Sequence, residues 1–146
     1  MKLRTRIQID PEQDIAEQLR SVGITPTQQR LQIAELLFSR QQHISADQIL
    51  AMVNLRGARA SKATVYNTLG LFARKGLLRE LIIDPTKVFY DSNISPHHHF
   101  YNLDSGELTD ISPQQMELVS LPEPPDGTRV DDVDIIIRTR HSTTNH

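Results

Sequence analysis

The chain has no cysteine, which excludes disulfides, thiolate zinc ribbons and thiol redox switches together. It also lacks any apolar run near the roughly 18 residues needed to cross a membrane. The opening residues, Met1-Lys2-Leu3-Arg4-Thr5-Arg6, carry no apolar stretch of the kind a secretion signal requires. These absences predict a cytoplasmic protein with no membrane partner. There is no nucleophile–base pair, glycine-rich phosphate loop or pair of acid/base carboxylates with a substrate pocket, so an enzyme is not expected. Excess charge is missing as well: the net charge is −2 over 146 residues. That balance hides an asymmetry. Residues 1–83 hold 12 Lys and Arg against 7 Asp and Glu, whereas residues 84–146 hold 4 against 11. A basic first half joined to an acidic second half suggests a polyanion-binding lobe attached to something else.

What is present is unusually clear about helix starts. Asp10-Pro11-Glu12-Gln13, Thr25-Pro26-Thr27-Gln28 and Ser112-Pro113-Gln114-Gln115 each set a capping side chain before a proline suited to the first helical position. Ser45-Ala46-Asp47-Gln48 reads as a capping box. Helices are predicted over about 11–22, 26–39 and 46–55, the second burying Ile33, Leu36, Leu37 and Phe38. A fourth begins at the cap Ser61 and runs towards Gly76, with Val65, Leu69 and Phe72 facing inward. Segments 78–83 and 87–91 flank the turn Asp84-Pro85-Thr86 and predict a hairpin. Helices followed by a two-stranded wing describe a winged helix-turn-helix over residues 1–92, with residues 93–96 as a hinge. The remainder, 97–146, predicts a second hairpin over 97–103 and 107–111, a short helix over about 113–119 and a strand at 133–138 whose apolar run suits burial between a sheet and a helix or a partner subunit. The fold class is α+β: an N-terminal winged helix-turn-helix followed by a small C-terminal α/β dimerisation domain.

On the fourth helix, Ser61, Lys62, Thr64, Tyr66, Asn67 and Thr68 form a polar face suited to base edges and phosphates in a major groove. Thr and Tyr can meet thymine methyls and Asn can bond adenine, which favours an A·T-rich double-stranded target. Arg30, on the second helix, is a candidate phosphate clamp. A plain surface helix would look similar on pattern alone.

His97-His98-His99 is the most chemically loaded run, with Asp91 before it and Asp110 after it. Imidazole and carboxylate donors without thiolate suit a divalent first-row ion such as Fe, Mn or Zn. Strand alternation sends His97 and His99 to one face and His98 to the other. His43, just before Ser45, is by itself a cap-adjacent imidazole.

The segments 23–30 and 63–69, then Phe89-Tyr90-Asp91, the three histidines, Gly106 and Asp110-Ile111, together resemble the ferric uptake regulator (Fur) family along nearly the whole chain. Within it the chain looks most like the iron-response regulator (Irr) branch, through Pro85-Thr86-Lys87, the unbroken histidines, the missing cysteines and Val133-Asp134-Ile135-Ile136-Ile137-Arg138. The resemblance implies a homodimeric transcription factor that binds a palindromic site, with a metal at the domain junction setting the angle between two reading helices. It implies His43, Asp91, His97, His99 and Asp110 as ligands of Fe or Mn, with Zn able to substitute in vitro. Tyr66 would be the base-contacting tyrosine. Two positions where the family carries zinc-binding cysteines read Asn102 and Ser105, so that structural zinc is not expected. A second site keeps His98 and Glu117 but has Val133 where a histidine would lie. The basic residue common after the first linker glycine is Thr25, and the N-terminal cysteine–proline heme motif is missing. Heme remains a candidate through His98, beside Phe100 and Tyr101.

The function expected is therefore a metal-responsive, iron- or heme-linked regulator of iron homeostasis genes. A peroxide sensor using Fe or Mn at the same residues is the near alternative. A small metal- or heme-binding protein or enzyme without DNA function is the alternative from another class.

Overall fold

A computed structural model describes residues 6–57, 59–116 and 120–143. They divide into two compact units between Ile94 and Ser95.

The N-terminal unit is built on four helices: α1 (Ile15–Ser21), α2 (Gln28–Phe38), α3 (Ala46–Leu55) and α4 (Lys62–Arg74). Two of them start later than proline-based capping predicts. Asp10 spends its carboxylate on the Glu12 N–H at 2.9 Å, closing a turn, and Asp14 caps α1 instead. Thr27 rather than Thr25 caps α2, its hydroxyl accepting the Arg30 N–H. Ser45 forms the full capping box with Gln48, and Ser61 caps α4. Each cap satisfies a backbone donor that the helix itself leaves orphaned.

Apolar residues at helical spacing then supply the core. Ile33, Leu37, Ile49, Val65, Leu69 and Phe72 are all fully buried, and the Phe38 and Phe72 rings sit 5.9 Å apart. At about 1.5–3 kcal/mol for each large side chain removed from water, this cluster outweighs the caps as a source of stability. Thr68 belongs to the same stripe, three residues after Val65, and is only 4% exposed. It therefore leaves the polar reading face proposed for it.

The wing is three-stranded, not two-stranded. β1 (His43–Ser45) pairs antiparallel with β3 (Lys87–Asp91), which pairs antiparallel with β2 (Arg79–Asp84). A three-residue strand has no periodicity to read, because only its partner makes it a strand. In β2, Arg79, Leu81 and Ile83 face inward and Glu80, Ile82 and Asp84 outward. The β2–β3 turn closes on Asp84, whose carboxylate accepts from the Thr86 hydroxyl and N–H at 2.6 and 2.8 Å.

The C-terminal unit is a sheet in the order β5-β4-β6. β4 (His98–Asn102) runs antiparallel to β5 (Leu108–Ile111) and parallel to β6 (Ile136–Thr139). The hairpin turn is held by Asn102, whose Oδ1 accepts the N–H groups of Asp104 and Ser105 at 2.8 and 3.0 Å. Gly106 completes it with φ +74°, a left-handed conformation that a side chain would strain. Two expectations change here. The helix from Pro113 is one 3-10 turn, Pro113–Gln115, because Met116 is already extended at φ −143°; residues 117–119 lie outside the described set. The last strand spans Ile136–Thr139 rather than 133–138 and lies at the edge of this sheet with Ile137 39% exposed, so within the unit its apolar run is only partly buried.

Candidate metal centre and nucleic-acid interface

In the C-terminal unit, alternation along β4 and its approach turns His97 and His99 inward, 6% and 1% exposed. Register does the rest. Asp110 on β5 lies directly opposite His99 on β4. Its Oδ1 stands 3.1 Å from His99 Nε2 and 3.4 Å from His97 Nε2, and the two imidazole centroids are 4.5 Å apart. The three residues each offer a donor atom within 4.8 Å of the others.

The protonation of His97 is set by its far side. Its Nδ1 lies 2.6 Å from the Ser95 carbonyl oxygen, which can only accept. Nδ1 therefore carries the proton, and in the neutral ring Nε2 presents a lone pair towards the Asp110 carboxylate. A ring nitrogen facing a half-exposed carboxylate at 3.4 Å is bridged by a proton or by a metal cation. A histidine oriented through its other nitrogen by a carbonyl is the usual support of a metal ligand. Two imidazole nitrogens and a carboxylate oxygen fit a borderline divalent ion.

The N-terminal unit carries the other two residues implied as ligands. His43 on β1 and Asp91 on β3 are direct cross-strand partners, so their side chains share one face of the wing sheet. Asp91 is 1% exposed, and one of its oxygens accepts the Asn93 N–H at 2.8 Å.

His98 has a different task. Its Nδ1 accepts the Ile135 N–H at 3.1 Å, tying β4 to the approach of β6. A neutral ring in that state holds its proton on Nε2, whereas ligation of heme iron through Nε2 needs it on Nδ1, where an N–H already points. This contact works against the axial-ligand role. Glu117, its partner in the second site, lies outside the described residues.

On α4, Ser61, Lys62, Tyr66 and Asn67 are exposed and Thr64 is half-buried. Thr64 and Asn67 also line a cleft of about 240 Å³ with Thr27, Gln29, Arg30 and the edge of Thr68. Arg30 is braced there by a 2.9 Å hydrogen bond from Nη1 to the Thr25 carbonyl. The cleft opens beside the N-terminus of α2, where orphan N–H groups and the helix dipole favour an anion.

Sequence reasoning missed Ser95, Thr27, Gln29 and Asp47. Ser95 acts through its carbonyl, for which no side-chain signal exists. Asp47, in the first turn of α3, touches both Lys62 and Tyr66; the capping box at Ser45 fixed its place in the helix without revealing that neighbour.

Comparisons with known proteins agree with this architecture. The model of the ferric uptake regulator family matches residues 21–136. The peroxide-responsive repressor PerR of Staphylococcus epidermidis is 32% identical over 108 residues, covering 74% of this chain and 71% of that protein. The ferric uptake regulator of Pseudomonas aeruginosa, solved with manganese, superposes with a TM-score of 0.65 at 22% identity, covering 87% of this chain and 97% of that one. That of Francisella tularensis, solved with iron, gives 0.65 at 23% identity, covering 83% and 94%. At these identities the two structures speak for the fold.

Proposed function

The chain belongs to the ferric uptake regulator family of metal-responsive transcription regulators, and from that premise we propose that one divalent ion, held by residues of both units, controls its binding to DNA. The ligands are His97, His99 and Asp110 from the C-terminal unit with His43 and Asp91 from the wing sheet. The reading rests chiefly on the Nε2 lone pair of His97, aimed by the Ser95 carbonyl at the Asp110 carboxylate. The regulator acts as a homodimer on an A·T-rich palindrome, because two copies of α4 related by a twofold axis read two half-sites.

Coupling follows from geometry. An ion bound to both units favours the one hinge angle at which all five donors converge, and that angle sets the separation of the reading helices. Moving the dimer from mostly incompetent to mostly competent takes about 5.5 kcal/mol of differential binding, well within what a metal supplies. Ser61, Lys62, Thr64, Tyr66 and Asn67 face the base edges, and the cleft at Arg30 takes a phosphate. Iron homeostasis genes are the targets, and the chain resembles the iron-response regulator branch in Pro85-Thr86-Lys87 and the unbroken histidines.

Titrating affinity for an A·T-rich duplex against Fe(II), Mn(II), Zn(II) and heme in one experiment tests this. A divalent ion should change the affinity at least tenfold. Equal indifference to all four ligands and to DNA sequence would instead favour a metal-binding protein without DNA function.

The relationship to a peroxide-responsive repressor supports a second reading, in which peroxide reacts at the ferrous site. One oxygen atom is added to a ligand imidazole while the peroxide is reduced to water. Mass spectrometry of the iron-loaded protein after peroxide decides: an added oxygen on His43 or His97 favours sensing of peroxide, and unmodified histidines favour sensing of iron.

A further inference from the structure

An acid stands on the face that a polyanion would approach. Asp47 Oδ1 lies 3.7 Å from Lys62 Nζ, and the Tyr66 hydroxyl donates a long hydrogen bond of 3.5 Å to the same oxygen. Lys62 Nζ in turn lies 5.6 Å from the centroid of the Tyr66 ring. The three side chains close a triangle between the first turn of α3 and the first turns of α4.

Folding gains little from the contact between Asp47 and Lys62. The Lys62 and Asp47 side chains are 66% and 68% exposed, and an ion pair so open to water adds little to stability. Its electrostatic consequence falls on binding instead. A carboxylate here repels phosphate and holds back the one lysine in the first turn of α4. It also restrains the ring of Tyr66. Discrimination is a difference of two affinities, so a group that weakens the wrong complex raises specificity as surely as one that strengthens the right one.

Resting on the DNA-binding reading above, we propose that Asp47 is a specificity-determining residue that presets Tyr66 for base contact and withholds Lys62 from the phosphates of random DNA. On a matching site the base contacts offset the repulsion. On random sequence nothing does.

The test uses the full-length, metal-loaded protein and two probes: a mixed-sequence duplex, and a duplex enriched from a random library by the unmodified protein. Asp47→Asn should bind the mixed-sequence duplex more tightly and steepen its log K against log salt by about 0.9, the increment for one more neutralised phosphate. Over a fourfold rise in salt that is a roughly three- to fourfold larger loss of affinity. The ratio of enriched to mixed-sequence affinity should fall. Asp47→Glu, which keeps the charge, should keep the slope. In a Lys62→Gln background Asp47→Asn should leave the slope unchanged. Asp47 also sits favourably at the dipole of α3, but that role would move a melting curve and not the salt slope. An unchanged slope and ratio in Asp47→Asn, or the same steepening without Lys62, overturns the proposal while the DNA-binding reading stands. If the unmodified protein binds neither duplex, that reading falls and the proposal with it.

Discussion

Asp110 on β5 is the direct cross-strand partner of His99 on β4, and its Oδ1 reaches to 3.1 Å from His99 Nε2. Sheet register alone puts a carboxylate against an imidazole, so the pair exists before any ion arrives. Removing the charge while keeping the shape should cost binding and not folding. Asp110→Asn is expected to weaken Mn(II) affinity by at least the 10- to 100-fold typical of perturbing a ligand's support. Calorimetric titration measures it, and an unchanged far-ultraviolet circular dichroism spectrum checks the fold.

The turn beneath that hairpin makes a separate demand. Asn102 Oδ1 accepts two backbone N–H groups, and the Ser105 hydroxyl accepts a third, from Glu107 at 3.2 Å. At this turn hydrogen bonds do the clamping. Asn102→Ala should lower stability by about 1–2 kcal/mol, since the groups are exposed and water compensates in part. Chemical denaturation reads this directly.

Much of the N-terminal fold was legible because its signals are local. Caps at Ser45 and Ser61 and the stripe Val65, Leu69, Phe72 need no distant partner to be recognised. Misplaced features depended on partners that the chain does not announce. Asp10 turned its carboxylate to Glu12 instead of capping, β1 exists only through β3, and β6 is placed by its parallel pairing with β4. At the site, alternation separated His98 from its neighbours, whereas the orienting carbonyl of Ser95 had no side-chain signature. Thr68 was misassigned for a simpler reason. Polarity suggested the outside, but its position three residues after Val65 dictates the inside.

Tyr90 gives a prediction in pH. Burial, followed by the negative charge of Glu80, raises its phenol from 10.0 to about 12. The folded state keeps this proton where the unfolded chain releases it. The associated stability is therefore complete below pH 10 and is lost as pH rises through about 12. Ultraviolet titration of the phenolate should show Tyr90 ionising late, and Glu80→Gln should bring it earlier. A Tyr90 that ionises near 10 would contradict this.

The proposed DNA contacts of α4 and α2 are of two kinds. If Arg30 holds a phosphate as proposed, Arg30→Ala should weaken binding on all sequences alike and lower the salt slope by about 0.9. If Asn67 meets a base edge as proposed, Asn67→Ala should cost about 1–3 kcal/mol at one base pair and relax the preference there. Competition binding against single-base variants of an enriched duplex distinguishes the two.

The central claim, that one ion joins the two units, is tested most directly by anomalous diffraction from crystals grown with manganese. The account predicts a peak at bonding distance from His97, His99 and Asp110 and also from His43 and Asp91. A peak bound by one unit alone, or solvent among those five side chains, would contradict it.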